Sequence, residues 1–133
     1  MMLRDIMTRD VLTTGTDVSV AEAARVMVER GIGSACLVDD AGLRGIITER
    51  DVLRAAASGR DLNAEPVTGW MTADPVTITP NELPSRVAAI MAERGFRHLP
   101  VVDQGELVGI ISMRDVWRFS FLPSEPDDMT LRS

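Results

Sequence analysis

Gly45-Ile46-Ile47-Thr48-Glu49-Arg50-Asp51-Val52 reappears later as Gly109-Ile110-Ile111-Ser112-Met113-Arg114-Asp115-Val116, and this doubled stretch decides the fold. Each copy runs from an apolar strand-like segment through one short hydroxyl residue into a charged, helix-forming segment. Outward from it, at the same constant shift of 64 positions (45 to 109), Met7-Thr8 falls on Met71-Thr72 and Met27 on Met91. Glu29-Arg30-Gly31 falls on Glu93-Arg94-Gly95, and Val38-Asp39 on Val102-Asp103. Self-similarity over such a block marks a supersecondary unit whose apolar face needs a neighbour to cover it.

Each copy reads as βαββα. In the first, Val11-Leu12-Thr13 is a short strand and Ser19-Val20-Ala21-Glu22 has the form of a capping box. Val20, Ala23, Ala24 and Met27 put an apolar stripe on one helical face, and Gly31 stops the helix. Ala35–Val38 and Leu43–Ile47 form a hairpin across Asp39–Gly42, and a last helix spans about Glu49–Ala57. In the second copy Val76-Thr77-Ile78 is the short strand, Asn81 the expected N-cap, and Pro84 sits in the first helical turn. Val87, Ile90 and Met91 make the stripe, Gly95 the stop, and Leu99–Val102 pairs with Leu107–Ile111. The closing helix begins near Met113 and reaches about Phe119.

These readings predict an α/β (α+β) chain of two βαββα units packed sheet to sheet with pseudo-twofold symmetry, since one unit alone leaves its sheet uncovered. The expected division is 1–62 for the first unit with a short helical lead-in carrying Leu3 and Ile6, and 63–70 for a connection. The second unit then occupies 71–122, and 123–133 is a flexible tail containing Glu125, Asp127 and Asp128.

Composition narrows the function. The net charge is -6 over 133 residues, which makes a nucleic-acid partner an unfavoured expectation because phosphate backbones attract basic surfaces. The lone Cys36 precludes an intrachain disulfide and reads as a small core residue of a strand; the lone His98 precludes a histidine-rich metal cluster. No apolar run is long enough for a bilayer span and no charged leader precedes one, so the expected setting is the cytoplasm, without a membrane partner. Walker, His-Glu-x-x-His and dinucleotide-binding glycine patterns are absent, and Gly31-Ile32-Gly33-Ser34 has the spacing of a helix stop leading into a strand. The expectation is therefore no enzyme, no catalytic residue, no metal site and no obligatory cofactor.

The paired polar residues remain. Thr48 with Asp51, and Ser112 with Asp115, have capping-box spacing, which by itself explains them without any ligand. The same spacing also suits recognition. A helix N-terminus offers free N–H groups and a field favourable to an anion, while a carboxylate one turn in can accept from adjacent sugar hydroxyls. Arg97 and His98, just before the strand at Leu99, supply positive charge, and an arginine fork suits phosphate. The first copy carries Gly33 and Ser34 at those positions, so the second copy's site is expected to bind phosphate better.

In this order of motifs the chain resembles the tandem CBS-domain family, or Bateman module. The matching text is Met7-Thr8 through Gly31 and Gly45–Val52, then Met71-Thr72, Arg97-His98-Leu99-Pro100-Val101-Val102-Asp103 and Gly109–Val116. The resemblance implies two sheet-packed units with two clefts that reversibly bind adenosine-containing ligands: AMP, ADP, ATP or S-adenosylmethionine. It implies ribose contacts for Asp51 and Asp115, phosphate contacts for Thr48 and Ser112, and phosphate reach for Arg97 and His98. Thr13 and Thr77 would line the clefts, each across from the other repeat. A stand-alone regulatory module of this kind is expected to be a homodimer and to signal to an effector protein. The alternative is a structural homodimerisation module whose twin caps are only caps. The first copy departs from Leu-Pro-Val-Val-Asp with Ala35-Cys36-Leu37-Val38-Asp39, a change that bears on its cleft and not on its fold.

Overall fold

The computed structural model describes residues 1–120. In chain order the regular elements are β1 (Thr13–Thr14), α1 (Val20–Arg30), β2 (Ser34–Asp39), β3 (Gly42–Thr48), α2 (Glu49–Ala57) and β4 (Thr72–Ala73). They continue with α3 (Pro84–Arg94), β5 (His98–Asp103), β6 (Glu106–Ser112) and α4 (Met113–Ser120). Short 3-10 turns at Leu3–Asp5 and Val67–Gly69 lead into each repeat. The flexible tail expected at 123–133 lies outside the described residues.

Local chemistry sets the helix limits. The Ser19 hydroxyl accepts from the Glu22 N–H at 3.1 Å at the start of α1, which ends on Gly31 with φ 64. A left-handed residue at that place lets the cap N–H reach back to Met27 and Val28 carbonyls, and glycine adopts it without a Cβ penalty. The reciprocal bond from Glu22 that the capping box predicted does not form among the described hydrogen bonds. In the second repeat the N-cap is Leu83, not Asn81, and no side chain caps it. Pro84 opens α3 instead: its fixed φ is already helical and its missing N–H would have had no partner there.

The first sheet has the order β1-β2-β3-β4, and β5 pairs with β6 in the second. Both hairpins carry the same irregularity in register, between Leu37 and Val38 and between Val101 and Val102. Single bridges complete the second sheet: Ile78 to Val101 in parallel, where the sequence predicted a three-residue strand, and Thr8 to Ile110 in antiparallel. These mirror Thr14 to Leu37 and Thr72 to Ile46 in the first sheet.

The edges show an exchange. Met71 and Thr72, which open the second repeat, lie against β3 of the first; Met7 and Thr8 lie against β6 of the second. The cores follow the same rule. Leu3 and Met7 are buried with Ile78, Val87, Met91, Leu99, Val101, Ile111 and Val116. Val67, within the stretch read from sequence as a connection, is buried with Leu12, Ala23, Met27, Ala35, Leu37 and Ile47. Cys36, Ile46 and Ile110 form a third cluster, flanked by Val11, Leu43 and Leu107, where the two sheets face each other. Burying a Leu or Val side chain contributes roughly 1.5–3 kcal/mol, so each lead-in is a substantial part of the opposite unit's stability.

Gly45 and Gly109 explain why glycine opens the doubled motif. A Cβ at Gly109 would lie 2.8 Å from Met7 Sδ and 2.9 Å from the Thr8 carbonyl oxygen. At Gly45 it would meet Met71 Sδ and the Thr72 carbonyl oxygen in the same way. The repeated Met-Thr and Gly-Ile-Ile texts are therefore two halves of one packing contact, made crosswise.

Candidate functional site: two crossed clefts

Two clefts flank the sheet interface. The first has a volume of about 540 Å³ and is lined by Thr48, Glu49, Arg50, Asp51 and Arg54 on one side. Opposite stand Pro75 and Val76 and the Gly95–Leu99 segment of the other repeat. The second, about 930 Å³, joins Ser112, Met113, Arg114, Asp115 and Arg118 to Val11, Leu12 and the Gly31–Ser34 segment. Both volumes lie in the range of small-molecule sites. Shifting by 64 positions turns every lining residue of the first cleft except Leu99 into a lining residue of the second. Each aspartate therefore faces the pre-strand loop of the opposite repeat.

In the first cleft Asp51 is buried at 8% exposure and closes a true capping box. Its Oδ2 accepts the Thr48 N–H at 2.9 Å and the Thr48 hydroxyl at 3.1 Å, and its own N–H donates to Thr48 Oγ1 at 3.4 Å. Its Oδ1 accepts from Arg54 Nη1 at 3.0 Å. The Arg54 guanidinium also lies over Trp70, 5.7 Å from the ring centroid, and the Trp70 indole N–H donates to Glu65 at 3.1 Å. In the second cleft Ser112 N–H donates to Asp115 Oδ2 at 3.0 Å, and Asp115 N–H to the Ser112 hydroxyl at 3.0 Å.

Arg97 and His98 line both clefts, so their charge does not single out the second as the sequence suggested. The reason is their place at the end of the α3–β5 loop (Arg97) and the first residue of β5 (His98), between the two clefts. The Arg97 carbonyl accepts the Met113 N–H at 2.7 Å, tying this loop to α4, while its side of the first cleft faces α2. His98 Nδ1 is buried without a hydrogen-bond partner. Burial lowers the His98 pKa below its ordinary 6.5; the Glu49 and Asp115 carboxylates oppose that shift, and Arg97 and Arg114 add to it. The imidazole is therefore neutral near pH 7, with its buried Nδ1 left unpaired.

Of the residues singled out in the sequence, Thr48 and Asp51 meet Arg97 and His98 in the first cleft; Ser112 and Asp115 meet the same pair in the second. Thr13 and Thr77 are exposed and line neither cleft. The early-segment wall is built instead by Val11 and Leu12 and by Pro75 and Val76. Arg54, Arg118 and Phe96 are lining residues that sequence reasoning missed. The signal for Arg54 was available, since it repeats as Arg118 at the 64-position shift. Among the described residues no group of His, Cys, Asp and Glu is arranged to hold a metal ion. No helix among them is long and apolar enough to cross a membrane.

Doubled βαββα units, sheets facing, with a hydroxyl–aspartate cap in each of two crossed clefts, define a tandem-repeat module of the Bateman type. The chain belongs to the CBS domain family, whose pattern it matches over residues 3–58 and 66–116. It is 36% identical over 115 residues to the CBS domain-containing protein YhcV of Bacillus subtilis, covering 86% of this chain and 81% of that one. It is 40% identical over 114 residues to the protein MJ1225 of Methanocaldococcus jannaschii, covering 85% of this chain but only 40% of the relative. Among solved structures, the CBS-domain protein ATU1752 of Agrobacterium tumefaciens superposes with TM-score 0.85 at 36% identity, over 91% of this chain and all (100%) of that one. The CBS domain pair of protein MJ0100, solved in complex with 5′-methylthioadenosine and S-adenosyl-L-methionine, superposes with TM-score 0.83 at 29% identity, over 90% and 99% of the two chains. CBSX2, solved in complex with AMP, superposes with TM-score 0.75 at 25% identity, over 90% and 95%.

Proposed function

We propose that this chain is a regulatory module that reversibly binds an adenosine-containing ligand in its crossed clefts and signals occupancy to a partner protein. The observation that carries this reading is the placement of Asp51 and Asp115. Each sits one turn into a helix, in a cleft of ligand size, facing a loop from the other repeat. A carboxylate there suits a ribose diol, and the neighbouring N–H groups and arginines suit phosphate. Relatives of this architecture solved with S-adenosyl-L-methionine or with AMP support the adenosyl class. A ligand that touches both repeats binds one relative arrangement of them better than others, which is the condition for it to shift a conformational population.

In this reading the clefts recognise and do not catalyse. The cleft carboxylates are engaged as helix caps, and the buried Cys36 is remote from the role of a nucleophile. Val28, Leu53 and Trp117, exposed at 80%, 70% and 66%, give the helical faces apolar contacts suited to a homodimer. The free thiol suits a reducing cytoplasm. Those apolar faces also favour the second reading, a homodimerisation module without a ligand.

Calorimetric titration of the purified chain with AMP, ATP and S-adenosylmethionine separates the two. Saturable binding that weakens in Asp51→Asn and Asp115→Asn, with the circular dichroism spectrum unchanged, supports the sensor. A dimer that binds none of the three leaves the structural reading.

A further inference from the structure

The two clefts are matched in position but not in the state of their aspartates. In the first, both oxygens of Asp51 are engaged, Oδ2 by Thr48 and Oδ1 by Arg54. In the second, Ser112 engages Oδ2 of Asp115, and Arg118 forms no ion pair with that carboxylate among the described residues. The difference follows from what each arginine can lean on. Arg54 stacks over Trp70, which Glu65 holds by its indole N–H, whereas the residue at the matching repeat position is Ile6, with no ring face to offer. Stacking and the ion pair together place the guanidinium on Oδ1, the carboxylate oxygen that Thr48 leaves open.

We propose that Arg54 is a specificity-determining residue that restricts the first cleft to phosphorylated nucleosides, while the second also accepts uncharged ones. This rests on the adenosyl reading of both clefts. An uncharged nucleoside whose hydroxyl takes Asp51 Oδ1 competes with Arg54 and offers the guanidinium no anion in exchange. A nucleotide supplies a phosphate that receives the displaced fork, with Arg50 on the same wall and Arg97 on the opposite one. Loss of the ion pair on one side is then matched by a new one on the other. In the second cleft Asp115 Oδ1 is open to either kind of ligand.

Calorimetry with AMP and with adenosine tests this on the full chain, one cleft being disabled at a time. In Asp115→Asn protein, which leaves the first cleft, AMP binds at least about tenfold more tightly than adenosine, a factor worth about 1.4 kcal/mol. Adding Arg54→Gln strengthens adenosine and weakens AMP, bringing the ratio within about threefold. In Asp51→Asn protein, which leaves the second cleft, Arg54→Gln does not move the ratio. Arg54 is 61% exposed, so its replacement is not expected to disturb folding; Trp70→Leu, which removes the stacking face, shifts the ratio in the same direction as Arg54→Gln. Equal AMP and adenosine affinities in the first cleft, or a ratio that Arg54→Gln leaves unchanged, overturn the proposal and spare the adenosyl reading. Absence of any binding by either ligand in the unmutated, folded chain overturns both.

Discussion

Thr8 and Ile110 exchange two backbone hydrogen bonds, each 2.9 Å, although they belong to opposite repeats. The pair fastens the first repeat's leading segment to the second repeat's sheet, and Met7 packs over Gly109 beside it. Thr72 and Ile46 are the matching residues on the other side. Neither unit therefore owns all of its core, and the clefts lie between units joined by these crosswise contacts.

Gly109→Ala places a methyl group against Met7 Sδ and the Thr8 carbonyl. The thioether can give way, but the carbonyl is tied into the Thr8–Ile110 bridge. The expected destabilisation is about 1–3 kcal/mol by urea denaturation. Gly69→Ala is the control, because its new methyl has nothing closer than Pro66 Cγ at 4.0 Å; its effect stays within about 0.5 kcal/mol.

Leu3→Ala removes a fully buried side chain from the second unit's core, at an expected loss of about 2–5 kcal/mol. Amide hydrogen exchange locates the damage. Protection falls first in β5 and β6, 95 or more residues further along the chain, while β2 and β3 keep theirs longer. Earlier loss in β2 and β3 would contradict the exchange of leading segments.

Cys36 is fully buried between the sheets, and burial pushes its thiol up to about 12. The reactive thiolate is then negligible at neutral pH. In the native chain Cys36 reacts with a thiol reagent only as fast as the protein opens, and denaturant exposes it fully. Rapid labelling of folded protein would show that the sheet interface is looser than its packing implies.

His98 gives stability a pH dependence of defined sign. Its folded pKa lies below 6.5, chiefly through burial, so as pH falls through 6.5 the unfolded chain takes up a proton that the folded chain refuses. The stabilisation is fully present above 6.5 and is lost as pH falls toward the folded value. Thermal midpoints of the native chain should therefore decline over that window more steeply than those of His98→Gln. Parallel profiles would show that His98 carries no such linkage.

Much of the architecture is legible in the chain because it is local. Periodic apolar residues, Gly31 and Gly95 as helix stops, and the spacing from Thr48 to Asp51 each act within a few residues, and the structure realises all of them. Asn81 misled because a polar side chain is a good cap in general, while Pro84 two residues past the turn at Thr79–Glu82 sets the helix start without one. Arg54 repeats as Arg118, but an arginine on an exposed helical face has no local pattern that separates a cleft residue from a solvated one. Its role depends on Trp70, which approaches it only after the chain has returned.

By itself the sequence determined the doubled unit, its elements and the paired hydroxyl–aspartate caps, since these depend on periodicity and on hydrogen bonds that reach about one helical turn. Only the tertiary structure decided that Met7 serves the second unit and Val67 the first, and that Arg97 and His98 stand between both clefts. The physical reason is the shape of the repeat. A half-covered sheet has an open edge and an open face, and a second copy can fill them crosswise or in turn with the same residues. Only the packed pair shows which arrangement satisfies Thr8, Ile110 and their partners.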